Sequence, residues 1–353
     1  LPAYKLNAPD YSQKGIQTTL DSFHFSLDPD TYNAIRSFNI FSQDGVQYIS
    51  FYDERSQSIN IYDFDKKILV KRLNVKAIFL GSRLYKTTVY CHNFDSIFVN
   101  NKLSIYLLDS TSLIRDSISF KTDPEFAWAN FENTVPLIIK DSIVYTAVRP
   151  YVDEKSLKAM SEWKVLYGFD FSNKTANLFY HLPIFLRQDY YGHRFMDHSH
   201  CINNRGNFVL SFPADTLLYE TNLKDIHFSY YARSQHQKDN ITPLSKKALE
   251  NDEGSKGYML RDSYEAIYFD KHRKRYLRLA KSKISQIDYQ SGNKTRKQSL
   301  IIFDENLKII GESLIDSSIS LKELFFTNDG NIYARVLNKD EYTIHFVKLK
   351  YIE

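Results

Sequence analysis

Glycine is scarce in this sequence, 11 in 353 residues, and the scarcity narrows the functional classes at once. It weighs against Gly-rich phosphate-binding loops and against blades built on glycine-doublet repeats. Neither a G-x-S-x-G nucleophile elbow, a G-x-x-x-x-G-K-[ST] loop nor a G-x-G-x-x-G fingerprint occurs. The two cysteines, Cys91 and Cys201, are too few for a disulfide framework, and two free, buried thiols are favoured over one bridge. No apolar run approaches the roughly 18 residues needed to span a bilayer. A signal peptide is also missing, but the chain opens at Leu1 and reads as processed or trimmed, so export stays open. A net charge of +4 is too small to name a partner.

What is abundant is aromatic: 26 Tyr and 25 Phe, 15% of the chain with Trp. With Ile and Val these residues suit a pleated, half-buried surface and lean the chain towards β-sheet. One phrase recurs, an apolar strand carrying an aromatic, a polar turn and a second strand. It reads "INIYDFDKKILVKRL", "LSIYLLDSTSLIRDSI", "VLYGFDFSNKTANLFYHL", "TLLYETNLKDIHFSYY" and "SLIIFDENLKIIGESLI". Asp and Asn suit the turns because they bond their own backbone and tolerate left-handed conformations. Two further strand-like segments precede each hairpin, "NAIRSFNIF" and "VQYISFYD" in the first unit.

Repeated four-stranded units predict an all-β, six-bladed β-propeller. Tyr62, Tyr106, Phe169, Tyr219, Phe303 and Phe346 serve as its third-strand anchors. The 84 residues between the fourth and fifth anchors leave a seventh blade as the alternative. That stretch is polar and helix-like, and is read as an insertion near 232–262. The last unit has three strands, so "TTLDSFHFSL" (18–27) is expected to close the ring as its fourth. Residues 1–17 read as a tether and 18–353 as one propeller domain. Strand alternation puts the long segments 150–162, 181–196, 232–262 and 282–297 on one face, the expected binding face.

Within that face, "RQDYYGHRFMDHSHC" is the densest polar cluster. Tyr190, Tyr191, His193, Arg194, Asp197, His198 and His200 are the candidate ligand-binding residues, with Trp128 of "TDPEFAWANFEN" a candidate sugar-stacking platform for which core packing is the favoured reading. His193, Asp197, His198 and His200 also match metal-ligand chemistry, yet no standard metal spacing is present, and structural hydrogen bonding is the leading reading of them, ahead of ligand contact and of metal. No metal and no cofactor is expected, and no catalytic residue is assigned. Between Lys271 and Lys297 stand ten Lys/Arg and one acidic residue, Asp288. Its strand-period alternation reads as an exposed basic face, suited to an acidic glycan or anionic surface rather than to nucleic acid.

"NFVLSFPADTLLYE" followed by "YEAIYFDKHRKRYLRLAK" resembles the exported β-propeller lipoproteins of unknown function of Bacteroides-type bacteria. The resemblance runs from about Leu20 to Lys350 and implies a cell-envelope location, periplasm-facing or on the outer-membrane surface. Membrane contact would come only through an N-terminal lipid anchor removed from this chain. The resemblance also makes "DSI" at 95–97, 116–118 and 141–143 and "DTL" at 215–217 candidate O-glycosylation sites, against their simpler reading as turn residues. The expected function is binding of an envelope protein, peptide or glycan through the long-loop face. A glycan hydrolase or lyase acting on that face is the alternative.

Overall fold

The computed structural model describes residues 2–76, 87–101, 103–119, 127–149, 152–337 and 340–353. Strands β1 (Ala3–Lys5) and β2 (Gly15–Ser26) come first. Blade one follows as β3 (Arg36–Gln43), β4 (Val46–Asp53), β5 (Ser58–Asp63) and β6 (Leu69–Asn74). Blade two is β7 (Val89–Asn93), β8 (Ser96–Asn101), β9 (Ser104–Leu108) and β10 (Ile114–Ser119). Blade three holds β11 (Trp128–Asn130), β12 (Ile138–Lys140), β13 (Ile143–Arg149), α1 (Leu157–Glu162), β14 (Lys164–Asp170) and β15 (Thr175–His181).

Helices α2 (Ile184–Gln188) and α3 (His193–Met196) lead into blade four. That blade is β16 (Ser199–Ile202), β17 (Phe208–Ser211), β18 (Leu217–Thr221) and β19 (His227–Tyr231). Helices α4 (Lys246–Glu250) and α5 (Gly254–Met259) precede blade five, which is β20 (Ser263–Asp270), β21 (Arg275–Lys281), α6 (Gln286–Gln290), β22 (Gln298–Phe303) and β23 (Ile309–Ile315). Blade six is β24 (Ile319–Phe326), β25 (Ile332–Val336) and β26 (Thr343–Ile352), completed by β2.

Six sheets in sequence order make a six-bladed β-propeller, and all six aromatic anchors fall in third strands. The stretch that left room for a seventh blade carries α4 and α5, with no seventh sheet among the described residues. Ring closure is by β2 on β26, from Gly15 opposite Ile352 to Ser26 opposite Thr343. The recurring turn residue does what its chemistry predicts. Asp63, Asp109, Asp170, Asn222 and Asp304 each accept backbone N–H groups two to four residues on. Asp95 and Asp141 likewise stand at strand-connecting turns, Asp116 pairs with Lys174 on β10, and Asp215 is buried against the Tyr219 hydroxyl.

The N-terminal segment differs from a tether. β1 adds a parallel fifth strand to blade four beside β19, and the backbone of Lys14 bridges to Gly311 of β23. A Cβ on Gly311 would lie 1.8 Å from the Lys14 carbonyl oxygen, so only glycine admits this crossing.

The core lies between blades rather than at one centre. Phe41, Tyr52 and Ile59 of blade one pack on Val89, Ile97 and Leu108 of blade two. Phe25, Phe325 and Phe346 of blade six meet Phe38, Phe51 and Tyr62 of blade one. Burying each such side chain contributes about 1.5–3 kcal/mol. Cys91 and Cys201 are both free and buried, as expected, and burial pushes the Cys91 thiol up to about 12.

The basic segment does not form one patch. Lys271–Lys274 make the β20–β21 turn on the short-loop face, whereas Lys281, Lys294 and Arg296 stand on the long-loop face. Arg278 between them is fully buried. Its guanidinium donates to the Ala232, Phe212 and Asp215 carbonyls and to Ser211 Oγ, and lies 3.6 Å above the Tyr264 ring.

A polar funnel on the long-loop face

In blade three the innermost strand is interrupted. β11 and β12 both pair with β13, and residues 131–137 leave the sheet between them. This excursion reaches across to blade six, where Asn133 Nδ2 donates to the Lys322 and Leu324 carbonyls at 2.6 and 3.0 Å. It is also tied to blade four. The His200 backbone N–H donates to Thr134 O at 3.1 Å, and His200 Nε2 donates to Pro136 O at 2.9 Å. Glu132 thereby comes to line both the funnel on the long-loop face and the apolar pocket on the other side of the excursion, which takes Phe38, Tyr90, Phe269 and Phe325 from four different blades.

Above the excursion, an inner chamber of about 220 Å³ is lined by Glu132, Thr134, Arg149, Arg194, Asp197, His198, Glu265 and Lys322. It continues through Arg194, Tyr258, Glu265 and Lys322 into an outer chamber of about 590 Å³. The outer chamber adds Lys281, Tyr289, Lys294, Arg296 and Gln298. Strand direction explains the convergence. His198 precedes β16, and Glu265 and Lys322 lie in the first halves of β20 and β24, so all three emerge on the long-loop face. The long segments roof that face, with α3 beside α5.

Glu265 is the hub between the chambers. Its buried carboxylate lies 3.2 Å from Lys322 Nζ, 3.3 Å from Lys281 Nζ and 3.9 Å from Arg296 Nη1, and it accepts a 2.5 Å hydrogen bond from Tyr258. Burial alone would raise its pKa, but Lys322, Lys281, the Tyr258 hydroxyl and Arg296 outweigh it and bring it down to about 2. Arg296 is itself buried, donating to the Ser282, Arg261 and Lys281 carbonyls, while its Nη1 makes no hydrogen bond.

The candidate residues separate. Arg194, Asp197 and His198 line the funnel. Asp197 is exposed on the funnel wall, and desolvation by the protein around it raises its carboxyl pKa. Lys322, Arg194 and Arg149 act against the rise and Glu132 with it.

His198 and His200 are both buried, and the two rings form one chain: His198 Nε2 donates to His200 Nδ1 at 3.2 Å, and His200 Nε2 donates to Pro136. The pair is therefore structural, fixing the excursion, and only His198 also borders the chamber. Burial lowers both pKa values, His200 to about 4. His193 instead turns to Glu154, which lies 3.6 Å from its Nε2 and also accepts its backbone N–H. This geometry separates His193 and His200 from Asp197, and among the described residues no three His, Cys, Asp or Glu side chains converge on a common metal position.

Tyr191 packs against Phe185 and Phe195, and Tyr190 bonds through its backbone to Leu244. Trp128, half-buried on β11, lines neither chamber, and residues 122–126 before it lie outside the described residues, as do 150 and 151.

Glu132, Arg149, Tyr258, Glu265, Lys281, Arg296 and Lys322 come from blades three, five and six and the roof. Their only trace in the sequence is a charge interrupting an inner strand, as in "SYEAIYFD" and "ISLKELFF".

A model for a family described as "Domain of unknown function (DUF4221)" matches residues 15–314. The chain belongs to the DUF4221 family. No curated protein matches it by sequence. A DUF4221 protein of Bacteroides vulgatus has a similar structure, with a TM-score of 0.78 at 19% identity over 98% of this chain and 100% of that one. A Bacteroides fragilis protein designated as exported is also similar, with a TM-score of 0.56 at 10% identity over 100% of this chain and 98% of the other. At these identities the likeness is one of fold, and it agrees with the six blades of this DUF4221 chain.

Proposed function

We propose that this DUF4221 protein is an exported propeller that binds a polar ligand, a glycan or peptide, in the funnel on its long-loop face. The observation carrying this reading is the pair of connected chambers, whose combined size suits a small ligand and whose lining converges from four blades. An interaction scaffold without a small ligand would be better served by a flat apolar face. Export is supported by the kinship in fold with the designated exported protein of B. fragilis.

The test is a glycan and peptide array probed with the wild type and with Ser255→Trp. Ser255 is an exposed residue of the outer chamber, so a bulky ring there closes the mouth without touching the core. The expected result is a ligand bound by the wild type and lost in the variant. A ligand retained by Ser255→Trp would place binding elsewhere and overturn the proposal.

A second reading, hydrolysis or elimination on a glycan, is favoured by one observation. Asp197, with its raised carboxyl pKa, stands in the inner chamber with Glu132. Of the residues first suspected for such chemistry, only Asp197 and His198 reach the chamber. If this reading holds, Asp197→Asn abolishes turnover of any bound glycan while leaving its affinity within a few-fold.

A further inference from the structure

The charge of the outer chamber goes beyond a general polar site. Five cations line it, Arg194, Lys281, Lys294, Arg296 and Lys322, against one carboxylate, Glu265. Glu265 is already committed to three of the five, and the Tyr258 hydroxyl takes a further share of its acceptor capacity. An excess of positive charge held partly out of water is unfavourable unless something balances it. Arg296 is taken up within the protein: its side chain is 4% exposed, two of its three nitrogens are fixed by carbonyls, and Nη1 makes no hydrogen bond. That nitrogen faces Glu265 at 3.9 Å, so the surplus falls on the exposed Arg194 and Lys294, which make no ion pair with Glu265 among the described residues and are suited to an oxyanion.

Other features of the funnel narrow the class. Tyr258 and Tyr289 border the outer chamber beside Gln298, giving ring faces next to hydrogen-bonding groups. The inner chamber offers carboxylates, Glu132 and Asp197, which accept from hydroxyl groups. The funnel thus meets negative charge at its mouth and hydrogen-bond donors at its floor. We infer that the DUF4221 funnel takes an acidic saccharide, its carboxylate or sulfate held by Arg194, Lys294 and the exposed Lys322 and its hydroxyl groups directed toward Glu132 and Asp197. This inference rests on the funnel being the binding site.

The experiment is calorimetric titration of the whole chain with three probes: a uronate oligosaccharide, a sulfated disaccharide and a neutral oligosaccharide of equal length. Lys322→Gln and Lys294→Gln are the variants, because both lysines are exposed and their loss leaves the buried Glu265–Lys281–Arg296 contacts in place. The expected result is binding of at least one acidic probe, with the neutral one weaker by about tenfold or more and the double variant losing on the order of 10-fold. Affinity should also fall several-fold as salt rises from about 0.05 to 0.3 M.

Binding of the uronate alone or of the sulfated probe alone supports the inference and identifies the oxyanion. Equal binding of acidic and neutral probes, unchanged in the double variant but abolished by Ser255→Trp, overturns the anionic class and leaves the funnel as the site. Acidic binding that survives both sets of variants overturns both readings. Failure of every acidic probe, while the array finds another ligand closed off by Ser255→Trp, overturns the saccharide class alone.

Discussion

At the residue scale, charge inside this protein is handled in two ways. Glu265 is surrounded by cations at an accessible cleft, where exchange of partners is feasible. Arg278 is enclosed, with no ion pair among the described residues, and balanced by three carbonyls, a serine hydroxyl and an aromatic face, with Asp215 nearby. Removing Arg278 strands those carbonyls between blades four and five. Arg278→Ala is therefore expected to lower stability by about 3–5 kcal/mol in urea unfolding, whereas Lys274→Ala on the exposed turn changes it by less than about 0.5 kcal/mol.

The histidine pair makes a second expectation. Burial keeps both rings neutral, with His200 at about 4 against an ordinary 6.5, so the unfolded chain takes up protons at a higher pH than the native one. Stability contributed by the pair is complete above about 6.5 and is lost as pH falls toward 4. Glu265, lowered from 4.5 to about 2, begins to add its own loss near 4.5 and contributes most of it below that window. Melting temperature measured from pH 7 to 4 should fall in the wild type and fall less in His200→Gln, whose amide can still donate to Pro136. Equal slopes in the two proteins would remove the pair as the cause.

At the element scale, regular strands were legible and departures from them were not. Aromatic anchors and Asx turns repeat because each blade solves the same local problem, so Tyr62, Phe169 and Phe303 could be placed from sequence. Residues 131–137 solve a problem that occurs once, spanning from blade three to blade six, and a single sequence carries no periodic signal for it. The same holds for the funnel. Arg194, Asp197 and His198 are neighbours in sequence as well as in the lining, whereas Glu265 and Lys322 meet them only through ring geometry.

The Lys14–Gly311 crossing is another such departure, and it is testable. Gly311→Ala forces the N-terminal backbone off β23, since the added carbon and the Lys14 carbonyl oxygen cannot coexist at 1.8 Å. Hydrogen exchange at Lys14 and Ile16 is expected to accelerate by an order of magnitude or more, while β5 and β22 remain protected. Unchanged exchange at Lys14 would show that the crossing does not hold the segment.

At the scale of the whole molecule, stability depends on a closed ring. Each interblade core needs both neighbours, and the core between blades six and one includes Phe25, supplied by β2. A chain lacking residues 1–26 loses that ring together with the pairing of Thr343–Ile352, and it exposes the edge of a long strand. Exposed edges of this kind template association, and the missing aromatic leaves a cavity against Tyr62 and Phe346. The truncated chain is expected to elute from size exclusion as aggregates, with its melting temperature lowered by on the order of 10 °C or more in any monomer recovered. Adding a peptide of residues 14–27 should restore the monomer, because strand pairing and Phe25 burial do not require covalent continuity at the turn before β3. Phe25→Ala in that peptide should abolish the rescue. A truncated chain that stays monomeric and melts like the wild type would show instead that blade six is complete without β2, and that the ring is held by interblade packing alone.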